Sequence, residues 1–210
     1  MPENRSTIRS RAQRYVGTAI DTTLNQAIAD AHRELQKRFN HNRMERTAPI
    51  VVAAGDTVFA LPADFKAVVN PEVPDEGVTE YRRMQGIVKN GIMARSVTDT
   101  GRPLRFRIWA GQGHLYPSAE VGCTINLEYY RWIPAPTDSN YENDAQAQAF
   151  CDEAAEFLEA RAVAAGYRKL RKIDLAAYWD ARADGLRKQL EDDDVENSLA
   201  GVDLQMQLPG

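Results

Sequence analysis

The sequence predicts an α+β fold: a helical bundle core with an inserted antiparallel β meander and an extended C-terminal tail. Three observations carry this. Apolar residues recur at helical spacing before residue 40 and again after residue 144. Between about Ala48 and Ile133 they alternate instead, punctuated by Gly and Pro. The stretch TINLEYYRWIPAPTD, Thr124 to Asp138, marks the return: a strand pattern stops at two prolines. Each proline removes an N–H and fixes φ, so the ladder cannot continue. The expected organisation is a single domain over residues 1–190, with helices at 6–16, 22–39, 144–167 and 174–191 and a β insertion at 48–133. An arm over 191–210 follows.

In the first helix, Ser6 or Thr7 offers an N-cap and Gly17 a stop. The second opens on Asp21-Thr22-Thr23, a choice of caps, and then places Leu24, Ile28, Ala31, Leu35 and Phe39 on one face, with Lys37 and Arg38 in its last turn. APIVVAAGDTVFALPADF reads as strand, turn, strand and an extended Leu-Pro segment. In the next block Leu104, Phe106 and Ile108 alternate with Arg105 and Arg107, and GQGHLY reads as a hairpin turn. Ile125, Leu127, Tyr129 and Ile133 share the face of a later strand. Residues 71–98 read as loop around Pro71, Pro74 and Gly77, with TEYRRMQGI as a short helix. After the linker APTDSNYEND, Phe150, Ala154, Phe157, Leu158, Ala162 and Ala165 form a stripe on an alanine-rich helix interrupted near Gly166. Asp174 caps a last helix with Leu175, Trp179, Leu186 and Leu190 at helical spacing.

Composition bounds the function. With 43% hydrophobic and 27% charged residues the 210-residue chain is globular, and no apolar run approaches the ~18 residues that span a bilayer. The N-terminus has basic residues without an apolar h-region, so no secretory signal is expected. Cys123 and Cys151 read as free thiols of a reducing cytoplasm. The net charge of −4 is unevenly spread. Residues 1–46 carry nine basic against five acidic side chains, while Glu191 to Gly210 carry six acids and no base. Such separation fits head-to-tail contact between copies, or a differently charged partner.

Catalytic and metal-binding patterns are sparse. His32, His41 and His114 lack the spacing and companions of a metal set, and His32 reads as a helix-surface residue. GQGHLY has two glycines of a phosphate loop but no third. Asp192, Asp193 and Asp194 read as a solvated run, and Glu153, Glu156 and Glu159 as exposed or ion-paired. No catalytic, cofactor or metal residue is assigned, and no enzyme is expected. Basic clusters stand at Arg5, Arg9, Arg11 and Arg14 and at Arg168, Lys169, Arg171 and Lys172. Either suits phosphate contact, although the pI near 5.5 argues against a dedicated DNA binder. Trp132, Trp179 and Tyr130 are aromatics of the kind enriched at interfaces.

The order of these signals resembles the head-to-tail adaptor proteins of tailed bacteriophages, also called head completion or connector proteins. The resemblance rests on LNQAIADAHRELQKRF, AGDTVFALPADF, HLYPSAEVGCTINLEYYRWIPAPTD and the alanine-rich helix pair, over about Thr7 to Leu190. Its most specific pieces are LPADF at 61–65 and LEYYRWIPAPTD at 127–138. It implies a virion protein made in the host cytoplasm, forming a homo-oligomeric ring of about twelve copies at the head–tail interface. The ring would bind the portal above and tail or nozzle proteins below. Genomic DNA would pass through it without sequence-specific binding, with no cofactor and no membrane partner. Arg5, Arg9, Arg14, Trp132 and Trp179 are the expected contacts between subunits or with partners. Two other readings compete: a tail-associated cell-wall hydrolase using Glu153 or Glu156 as acid, and a DNA-packaging accessory binding duplex through Arg5–Arg14.

The last nine residues, VDLQMQLPG, alternate Val202, Leu204, Met206 and Leu208 with polar residues, the period of a strand. A flexible EDDDVENSLA before them would let this strand reach a sheet edge on the portal; the alternative is that it pairs with this chain's own sheet.

Overall fold

The structure is a computed structural model of the chain and describes residues 2–38, 40–74, 81–83, 85–86, 100–101, 103, 105–139, 141 and 143–200. The chain divides into two compact units, a helical one of Met1–Met44 with Ile133–Gly210, and a β unit of Glu45–Trp132. The β unit is thus inserted between the second and third helices, as the change of apolar period predicts.

In the helical unit, α1 (Arg5–Val16) is capped by Asn4, one turn earlier than expected. The Asn4 carboxamide accepts from the Thr7 N–H, and the Thr7 hydroxyl accepts from the Asn4 N–H, both at 2.9 Å. Thr7 therefore sits at the third helical position of a reciprocal box instead of at the cap. Gly17, at φ +82°, ends the helix and donates its N–H to Gln13. In α2 (Asp21–Arg38) Asp21 lies within the first turn, and its carboxylate accepts from the Gln13 amide instead of capping. Leu24, Ile28, Ala31 and Leu35 are buried as predicted, while Phe39 lies outside the described residues. His32, expected at the surface, is buried with Gln36.

The third helix, α3 (Ala145–Lys169), is capped by Asp144 and packs against α1, α2 and α4 (Ile173–Ala200). Being central, it buries residues around most of its circumference, which its alanines permit. It is not interrupted at Gly166. A Cβ there would meet Val16 and Ile20 side chains at 3.0 Å, so the glycine serves close packing, and packing outweighs its low helix propensity. At α4 the carbonyl of Lys172 starts the helix, and Asp174 lies in the first turn rather than capping. The buried stripe is Ala176, Trp179 and Ala183, whereas Leu175 is exposed. The helix continues to Ala200, so residues 191–200 are not the extended linker that was expected. An Arg187–Glu191 ion pair at i,i+4 and the anchoring of Asp194 described below favour that extension.

The β unit holds two four-stranded sheets and a two-stranded one. The first pairs β1 (Glu45–Val52), β10 (Cys123–Arg131), β3 (Phe65–Pro74) and β4 (Tyr81–Arg83), all antiparallel, in the order β1-β10-β3-β4. The second has the order β2 (Val58–Ala60), β8 (Gln112–Tyr116), β7 (Arg105–Trp109), β5 (Gln85–Gly86), with β5 parallel to β7. Two-residue strands β6 (Thr100–Gly101) and β9 (Ser118–Ala119) form the third. The last strand lies between β1 and β3, so sequence neighbours are not always sheet neighbours. Tyr81–Arg83 and Gln85–Gly86 are strands, not the short helix expected there. β7 and β8 join at Ala110-Gly111, both at positive φ, the geometry of a tight two-residue hairpin. The segment QGHLY is therefore strand, and the turn precedes it.

Val52, Ile125, Leu127 and Tyr129 of the first sheet meet Phe59, Phe106 and Leu115 of the second, with Ala119, in one core. Gly113 lies directly beneath the Phe59 ring, where a Cβ would fall 2.0 Å from its edge. Leu104 lies outside the described residues.

Candidate assembly surfaces

The abrupt end of β10 is held by one buried side chain. The Ile133 N–H donates to the Gln36 carboxamide oxygen at 2.7 Å, and the Gln36 amide donates back to the Ile133 carbonyl at 3.0 Å. The same Gln36 amide lies 2.9 Å from Nδ1 of His32. Residue 133 thus makes its pair of backbone bonds to a glutamine instead of to a strand, and then the prolines begin. Gln36 was not singled out from sequence, because nothing in the helical period distinguishes a buried glutamine from a surface one.

Beyond Pro134 the segment is fastened to α1. The Pro134 carbonyl accepts from the Tyr141 hydroxyl, and the Thr137 carbonyl accepts from the Arg5 N–H. Asp138 pairs with Arg5 at 2.9 Å and lies 3.8 Å from Arg9. The hydrogen bond from Arg5 pulls the Asp138 carboxyl below its ordinary range and raises the guanidinium in turn. Both groups are largely solvent-facing, so the pair contributes little to stability. Arg9 also donates to Asn25, and Arg11 bridges Glu3 and Glu159 at 2.6 and 2.7 Å. Three of the four arginines of α1 therefore face carboxylates of their own unit, and Arg14 is exposed.

The expected aromatic anchors part company. Trp132 is 38% exposed, with the Lys66 ammonium 5.3 Å above its ring. Burial pushes Lys66 down to about 8. Trp179 is only 7% exposed; it packs edge-on against Tyr15, with the Arg182 guanidinium 5.1 Å from the centre of its ring. It is a core residue of the helical unit, and its neighbour Tyr178 is exposed instead. Tyr130 lies in β10 at intermediate burial. Trp109, next to the hairpin turn, is exposed beneath the Arg107 guanidinium, and only its position beside the turn could have marked it in the sequence.

His41 gathers charge from three elements. Its Nε2 lies 3.1 Å from Glu153, whose other oxygen takes Arg43 at 3.0 Å, and its Nδ1 accepts from the Arg43 N–H. Asp194 accepts from the Asn42 N–H at 2.9 Å and sits 3.7 Å from Nδ1. The acidic run is therefore not wholly solvated, since its last member ties α4 to the 41–44 turn. Burial lowers the His41 imidazole against the pull of Asp194 and Glu153, with Arg43 adding to the lowering. Glu153 and Glu159 are engaged in ion pairs, and Glu156 is exposed. Cys123 and Cys151 are free thiols, and burial pushes Cys151 up to about 12. Among the described residues no group of His, Cys, Asp or Glu is arranged to hold a metal ion, and no helix is long and apolar enough to cross a membrane. Val202, Leu204, Met206 and Leu208 lie outside the described residues.

The geometry offers paired charges, fastened segments and exposed aromatics on both units. The family model of the SU10 adaptor protein matches residues 4–203, nearly the whole chain. The chain belongs to that family. The match takes in both units of the adaptor, Ile133 with its Gln36 clasp and the prolines that follow, and all of α4. No curated protein matches the adaptor's sequence. Membership makes it a structural adaptor of a bacteriophage, in agreement with the resemblance carried by LPADF and LEYYRWIPAPTD.

Proposed function

We propose that this adaptor works at the head–tail interface of the virion, as a homo-oligomeric ring of about twelve copies that joins the portal to tail or nozzle proteins. The observation that carries the reading is the family match over residues 4–203, which spans both the helical and the β unit. Both units serve one adaptor domain. The protein is made in the host cytoplasm and performs no catalysis. Genomic DNA passes through the ring during packaging and ejection without sequence-specific contacts. Internal pairing of Arg5, Arg9 and Arg11 supports this, because arginines held by carboxylates have less to offer phosphates that must slide past. Arg14, Trp132 and the Arg5–Arg9 face contact protein. With Trp179 buried, its share of any interface passes to its exposed neighbours.

The C-terminal arm docks on the portal. Val202, Leu204, Met206 and Leu208 supply an apolar face at strand spacing, and an added strand gains affinity from backbone bonds and specificity from alternate side chains. Because α4 runs to Ala200, the arm begins only there. Co-expression with the portal of the same phage tests both points. The full chain is expected to copurify with the portal as a ring. A chain ending at Ala200 is expected to keep its melting temperature and lose the portal. A large loss of stability on truncation, or portal capture without the arm, would refute this docking.

A further inference from the structure

Among the described residues ten large hydrophobic side chains are exposed, and five of them gather at one end of the helical unit. Leu170, Ile173, Leu175 and Tyr178 lie on the α3–α4 turn and the first turns of α4. Tyr15 joins them from the end of α1, because its ring packs on Trp179 and its carbonyl takes the Tyr167 hydroxyl. Ile173 and Tyr178 are 64% and 62% exposed. Apolar clustering of this kind marks an interaction surface, whereas scattered exposed side chains do not.

The same end is basic. Lys169, Arg171 and Lys172 are exposed, and the fold brings exposed Arg14, from the far end of the other basic cluster, to that end as well. Nearby acids are partly occupied: Asp180 takes Arg168 and Arg161, Asp184 takes Arg161, and only Asp174 adds an exposed counter-charge at the turn. Toward the other end of α4, Asp192 and Asp193 are exposed with Val195 one turn on from Asp192, while Glu191 pairs with Arg187. Of the nearby exposed bases, Lys188 lies on α4 and Arg43 is held by Glu153. About twenty residues of helix separate the two ends, roughly 30 Å. That exceeds the ~8 Å screening length of physiological salt several-fold, so the ends cannot satisfy each other within one copy.

We infer that the basic, apolar α3–α4 end of one copy docks on the acidic outer face of α4, at Asp192, Asp193 and Val195, of a second copy. The occupant follows from complementarity in both terms: base meets acid, and Ile173 and Tyr178 meet Val195. Two different patches joined head to tail make a heterologous contact, which closes into a ring when the rotation allows. The inference deepens the ring reading and rests on it.

Charge reversal in the full chain tests it by sedimentation velocity over a range of concentrations and by imaging particles assembled with each variant. K169E/R171E and D192K/D193K should each weaken self-association at least about tenfold, as close interfacial charge pairs do when reversed. Mixing the two variants should restore it, since each then carries the end the other needs. A chain with all four changes should associate like the original. The variant Y178A, with charges intact, should also weaken association, and circular dichroism of each variant checks that α4 still forms. Reversals that leave rings intact on particles, or mixtures that fail to recover, overturn this interface while leaving the ring reading in place. Particles in which the unaltered chain forms no ring overturn that reading itself.

Discussion

Replacing Gln36 by Leu tests whether the strand exit is held as described. The two side chains are similar in size, so packing is nearly conserved, but the Ile133 N–H and carbonyl lose their partners at 2.7 and 3.0 Å. Each buried backbone group left unsatisfied costs about 1–3 kcal/mol. The two groups together should therefore cost the variant about 2–6 kcal/mol. For a chain of this length each kcal/mol shifts the melting temperature by about 2–4 °C, so a drop of roughly 4–24 °C is expected. Differential scanning calorimetry gives the shift, and hydrogen exchange gives its location, because the Ile133 amide should exchange far faster than the amides of α2. Gln26, exposed on the same helix, is the control; Q26L should stay within about 0.5 kcal/mol. A Q36L variant melting within about 2 °C of the original, with Ile133 still protected, would refute the clasp.

Three further outcomes follow. Gly113→Ala places a methyl against the Phe59 ring and should cost about 1–3 kcal/mol in urea denaturation, and a second change, Phe59→Leu, should recover part of it. Burial pushes the His32 imidazole down to about 4 from its ordinary value near 6.5, and His41 is lowered too. Unfolded histidines bind protons that the native ones refuse, so stability is full above about pH 6.5 and falls as pH drops toward 4; His32→Asn should flatten that slope in denaturation series. Removing residues 201–210 should leave the melting temperature within about 2 °C while ending portal binding, as the proposed docking requires.

Period and punctuation made the architecture readable. Apolar spacing in α2 and alternation in β10 gave their types and faces, and the prolines at 134 and 136 located the return to helix. What escaped depends on tertiary partners. Asn4 outranks Ser6 and Thr7 as a cap because Thr7 at the third helical position answers it. Gly166 reads as a break in isolation, yet the side chains of Val16 and Ile20 pack closely against it. Residues 191–200 look like a solvated linker until Asp194 is seen bonded to Asn42. Strand order was hidden for the same reason, since β10 finds β1 and β3 across long sequence separations. Among the candidate contacts, Arg5 and Arg9 were visible as charge, but their engagement by Asp138 was not. Trp179 carried the composition of an anchor and the burial of a core residue. The family motifs themselves were legible because LPADF and the Tyr-Tyr, Ile-Pro run are local.

The central claim is that this adaptor joins head to tail, and cryo-electron imaging of particles from the phage with and without its gene tests it most directly. With the gene present, a ring should be seen between portal and tail. Without it, heads should lack tails and fail to retain DNA, and the protein supplied in trans should restore both. Virions that keep their tails and DNA in its absence would contradict the account.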